Sequence, residues 1–141
     1  MPRFIIFVRA SSDSESELKP NPEMLQAMST YNATLREAGV LQLVDGLHPS
    51  PRDSKRIIFH DSGSPTIQSG PFPANELVSR LWIVKVKDLD EAVAWAVKCP
   101  FKEGNIIEIR RIAEAGDFDD LELCERGDEF KAQDEKTAKS G

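Results

Sequence analysis

The chain has little cysteine, no long apolar run and no excess of basic residues. Its two cysteines, Cys99 and Cys124, form no CxxC or Cys/His pattern, which argues against both a zinc site and a disulfide framework. Two free thiols and no bound metal are the expectation. No apolar stretch approaches the length of a membrane-spanning helix. The apolar run in MPRFIIFVRA breaks off at Arg9, too short for a signal-peptide core. It reads as a first strand, and the protein as cytoplasmic with no membrane partner. Residues 1–113 hold 14 acids and 14 bases, while residues 114–141 hold 10 acids and 4 bases, so the net charge of −6 belongs to the tail. A neutral body without a basic face argues against nucleic acid as a partner. A glycine-rich phosphate loop, a nucleophile elbow, an HExxH pair and an EF-hand loop are all missing. An enzyme built on this sequence would work without a cofactor.

What is present is ordinary for a globular protein. The chain has 141 residues, 40% apolar and 30% charged, enough for one domain with a real core. Arg3 to Ala10 alternates as a strand, with Phe4, Ile6 and Val8 on one face and Ile5, Phe7 and Arg9 on the other. Ser11 to Pro22 reads as an acidic loop. Asn21 and Pro22 open a helix in which Met24, Met28, Tyr31 and Leu35 recur at helical spacing, and Gly39 ends it. Val40 to Val44 is a second strand. Asp45 to Ser54 is a proline-punctuated loop, and Arg56–His60 with Thr66–Gln68 forms a hairpin. After a rigid QSGPFP corner, Leu81 to Val86 is a strand. Asp88 and Glu91 form a capping box for a second helix, which Pro100 ends. Asn105 to Ile112 is the last strand, with Ile107 and Ile109 on one face and Glu108 and Arg110 on the other. From Ala113 hydrophobicity falls, and residues 119–141 read as an acidic, partly disordered tail.

The order predicts an α+β fold, the ferredoxin-like β-α-β-β-α-β arrangement with an extra hairpin. Its helices cover one sheet face. The other carries Ile5 and Phe7 among charges, and a homodimer packed sheet to sheet would bury it.

The residues YNATLREAGVL (31–41), GLHP (46–49), GPF (70–72), ELVSRLWIVKVKDLDEAVAWAVKCP (76–100) and IIEIRRI (106–112) resemble the YCII-related family, within it the branch named after a DGPF motif. The resemblance runs from the first strand to about Phe118. It implies a dimeric α+β barrel. A few relatives are lyases or dehydrochlorinases acting on small cyclic compounds, and some bacterial relatives accompany sigma-factor genes. Three departures stand out. Ser69 replaces the acid of DGPF. The link Pro73–Asn75 is shorter and uncharged. The His–Asp pair of the better-known relatives falls on Met24 and Cys99, so that pair is not carried over.

Eight residues remain as candidates. His48 is the candidate for proton transfer, the work an imidazole suits near neutral pH, or else bonds the backbone of its loop. Glu108 and Arg110 share a face that dimerisation would enclose, with Arg9 ending the neighbouring row. They form either a structural pair or a polar pocket, since buried charges need a partner or a ligand. Tyr31, Phe72 and Trp82 line a cavity or fill the core. Glu76 caps a turn or points into the cavity. In the GPF corner, Gly70 is expected to allow an unusual backbone angle, Pro71 to fix the next, and Phe72 to plug the barrel rim. Two functions follow: a cofactor-free lyase, isomerase or dehydratase moving a proton on a small molecule, or a non-catalytic ligand-binding or interaction module.

Overall fold

The computed structural model describes residues 1–16 and 21–118. The expected acidic tail, 119–141, lies outside the described residues. The chain divides into two compact units, 1–111 and 112–141. In the second, the described part holds a single 3-10 turn, Ala115–Asp117, opened by a reciprocal Glu114–Asp117 cap.

Strand β1 (Arg3–Arg9) buries Phe4, Ile6 and Val8 on one face. The following segment is not all loop. Ser12–Glu15 forms one helical turn, α1, because the Ser11 and Ser14 side chains cap each other's backbone N–H groups. Helix α2 (Pro22–Glu37) starts where Asn21 Oδ1 accepts from the Met24 amide at 2.7 Å. It buries Met28, Tyr31 and Leu35. Gly39, at φ +75°, takes the left-handed turn that glycine adopts without a Cβ penalty. Strand β2 is Leu41–Gly46. Strands β3 (Lys55–Ile58) and β4 (Thr66–Ser69) pair only with each other. Strand β5 (Val78–Lys85) begins earlier than its apolar pattern suggests. Its first residues pair with β2 through Gly46–Arg80 and with β1 through Val8–Arg80, so backbone pairing carries a segment that side-chain hydrophobicity does not mark. Helix α3 (Leu89–Ala96) is capped by Asp88. Glu91 reaches back to the Lys87 amide, one residue before the cap. Strand β6 is Ile107–Arg111.

The main sheet has the order β2-β5-β1-β6, every neighbour antiparallel. With α2 after β1 and α3 after β5, this is the ferredoxin-like α+β arrangement, the β3–β4 hairpin being the insertion. The core lies under one face, where Ile6, Leu35, Trp82 and Val84 are completely buried. Trp82 is fixed there by its indole N–H, donated to Asn32 Oδ1 at 2.8 Å, and by the edge-on ring of Tyr31 at 5.7 Å. The other face carries Ile5, Phe7, Leu81 and Ile83, all half-buried, as a contiguous apolar patch. Glu108 and Arg110 border it on β6. No helix among the described residues is long and apolar enough to cross a membrane.

Candidate functional site

The GPF corner is built around a serine. Ser50 lies in the loop after β2 and is 5% exposed, a degree of burial that a hydroxyl tolerates only when hydrogen-bonded. Its amide donates to both carboxylate oxygens of Glu15, at 3.0 and 3.1 Å, and its hydroxyl donates to the same carboxylate. The Ser50 hydroxyl oxygen accepts from the Phe72 amide at 2.9 Å. Its carbonyl accepts from the Ser54 hydroxyl. Three distant segments, α1, the proline loop and the corner, are thereby tied to one residue.

Gly70 completes this junction for a reason other than the expected one. Its φ is not positive, so no unusual angle is being accommodated. A Cβ there would lie 1.8 Å from the Ser50 carbonyl oxygen; glycine is required because the two backbones touch. The Gly70–Pro71 peptide is cis.

Over this junction opens a cavity of about 380 Å³. His48 stands on its wall, exposed. Phe72 forms another wall, and the Arg56 guanidinium lies over its ring at 4.2 Å. Arg56 also pairs with Glu76 at 3.4 Å, so Glu76 helps hold the arginine over the ring. Arg52 and Lys55 add positive charge to the lining, and Glu15 and Asp53 add negative charge. The Lys55 ammonium donates to Ser69 Oγ at 2.6 Å. A planar or anionic molecule would meet an aromatic face, several cations and an imidazole here.

The sequence candidates therefore do not converge on one place. His48 and Phe72 share this cavity, and Glu76 reaches it through Arg56. Tyr31 and Trp82 are core residues and do not line this cavity. The Tyr31 hydroxyl donates to the Trp95 carbonyl at 2.9 Å. Burial, aided by a hydrogen bond with Cys99, pushes its pKa far above the usual phenol value. Burial likewise raises the Cys99 thiol, against a lowering pull from Tyr31 and Arg80. Glu108 and Arg110 form an ion pair at 3.6 Å on the open sheet face, with side chains 47% and 70% exposed. Arg9 donates to the Asn75 carbonyl at 2.8 Å. Its guanidinium ties the end of β1 to the link after the corner.

Ser50, Glu15 and Arg56 were not singled out from the sequence. Ser50 sits in a proline loop without periodicity, and its partners lie 35 and 22 residues away. Only the proline-serine crowding of HPSPRDS hinted at an ordered loop. Among the described residues, no group of three or more His, Cys, Asp or Glu side chains could hold a metal ion.

The sequence model of the YCII-related domain family matches residues 4–116. No curated protein matches the chain.

Proposed function

We propose that this chain, which belongs to the YCII-related domain family, is a homodimeric, cofactor-free enzyme of the lyase, isomerase or dehydratase type. The observation that carries this reading is the corner cavity: a titratable imidazole, an aromatic face and three cations around one space of about 380 Å³. His48 takes or returns a proton at a carbon or oxygen of a small substrate. Arg52, Lys55 or Arg56 holds the negative charge that develops, and Phe72 packs against the body of the molecule. Glu108 and Arg110 belong to a second polar feature, enclosed when two open sheet faces pack together.

The test is a thermal-shift screen with small aromatic acids, lactones and phenols, followed by turnover assays on the stabilising compounds. His48→Gln should lower kcat by about 10²–10⁴, the usual contribution of a general acid–base group, with the melting temperature unchanged. Undiminished turnover would remove His48 from the chemistry.

A second reading, a ligand-binding module without catalysis, is favoured by Cys99. At the positions where the resemblance places the His–Asp pair of the better-known relatives, this chain has Met24, packed partly against the core, and Cys99, a thiol whose pKa burial raises. Binding without turnover of any compound, unaffected by His48→Gln, would support it. We further assign the chain to the DGPF branch, on Gly70-Pro71-Phe72, and to the cytoplasm, a reading supported by the sparse, unpatterned cysteines of the sequence.

A further inference from the structure

A second cavity, of about 370 Å³, lies on the helix-covered side, where α2 passes the end of β2 and the start of β5. Arg80 is its inner group. By the two-residue period of a strand it shares a row with Trp82 and Val84, the most buried row of the sheet. Burial lowers the pKa of its guanidinium. That guanidinium sits 5.9 Å from the Trp82 ring centroid. An aromatic neighbour of this kind engages the face of a guanidinium and leaves its N–H edge available. Among the described residues no carboxylate pairs with the side chain of Arg80 or of Arg36, which lines the same cavity; the Cys99 thiol is the group that interacts electrostatically with Arg80.

Two further donors stand beside these arginines. Asn32 spends its Oδ1 on the Trp82 indole, which fixes the amide and leaves its Nδ2 hydrogens as donors. The Ser29 hydroxyl lies one helical turn before it. The remaining lining is largely apolar: Leu25 and Met28 from α2, and Val44 from β2. Asp45 also contributes to the lining but pairs with neither arginine. Two arginines against one carboxylate leave a single positive charge, which matches a monoanion better than a doubly charged phosphate.

We infer that this cavity binds the carboxylate of a small monocarboxylic acid, held by Arg80 and Arg36 with Ser29 and Asn32, its apolar body lying against Leu25, Met28 and Val44. A guanidinium fork fits a carboxylate with two parallel hydrogen bonds. The site shares no lining residue with the His48 cavity, so the two assignments stand or fall separately.

Calorimetric titration of the full chain with benzoate, hexanoate, benzyl alcohol and inorganic phosphate tests it. Both carboxylates should bind more tightly than the alcohol or phosphate. Arg80→Gln should weaken them about tenfold or more, as expected for hydrogen bonds to a charged group. Arg36 is exposed, so Arg36→Gln keeps the test open if Arg80→Gln does not fold; a loss of about threefold or more is expected there. Absence of carboxylate binding, affinity unmoved in a folded arginine variant, or a preference for phosphate would each overturn the assignment.

Discussion

At Gly70 there is no room for a methyl group, because the Ser50 carbonyl oxygen occupies the place a Cβ would take. Gly70→Ala should therefore cost about 1–3 kcal/mol, the range for overpacking a tight site. Ser50→Ala should cost a similar amount, roughly 1–3 kcal/mol, since it leaves the Phe72 N–H without its acceptor and removes one of the donors to the Glu15 carboxylate, which keeps the backbone amide of residue 50. Urea denaturation of both variants measures this; midpoints equal to the wild type would mean the corner is not held as described. Tyr31 and Cys99 make a pH prediction. Both have pKa values raised in the folded state, Tyr31 by burial and then by Cys99, Cys99 by burial. In the unfolded chain they lose protons near their ordinary values, about 10 and about 8.5, while the folded protein keeps them. Unfolding is thus favoured as pH rises above those values, and their contribution is complete below them. Denaturation midpoints should fall from about pH 9 upward. Tyr31→Phe should flatten the upper part of that decline.

The elements divide into those that carry their own reason and those that borrow it. Helix α2 has a capping asparagine, a proline at its first position and a glycine past its end. Each satisfies or excuses a terminal backbone group. The start of β5 has only its neighbours on either side. The β3–β4 hairpin lies between: it has a cross-strand Ile57–Ile67 pair, yet those side chains are 53% and 66% exposed. A two-stranded ribbon is marginal alone, so its apolar residues are a candidate contact for a second copy. On β6, Glu108 and Arg110 are too exposed in one chain to matter much for stability. Glu108→Gln should change the folding free energy by less than about 1 kcal/mol. Should the polar feature that dimerisation encloses carry the chemistry in place of the His48 cavity, the same variant would lose turnover while remaining dimeric; a variant that unfolds would make the pair structural instead.

For the whole molecule the open sheet face is the decisive feature. Ile5, Phe7, Leu81 and Ile83 form a patch that the chain's own helices, packed on the opposite face, leave uncovered. Contiguous, partly accessible apolar surface of this kind marks interaction sites. Sedimentation equilibrium should give the mass of two chains. Phe7→Glu should give a folded monomer, because Phe7 points away from the core that its neighbours Ile6 and Val8 fill. A stable wild-type monomer would contradict the proposed homodimer.

Periodicity and end signals in the sequence alone determined the order of the strands and of the two longer helices, the buried face of β1, the limits of α2 and the separation of Ile107 and Ile109 from Glu108 and Arg110. These are local matters, decided by side-chain alternation and by backbone groups within a few residues. They were legible because the physics that sets them has short range in the chain. Tertiary structure decided which side chains meet. The Ser50 junction draws on residues 15, 54, 70 and 72, and no spacing rule announces it. Tyr31 and Trp82 could have lined a cavity or filled the core until packing assigned them to the core. Arg80 became a candidate ligand group only when pairing extended β5 to include it and α2 closed over its row. Burial, and with it the need of a charge for a partner, is a property of the packed chain.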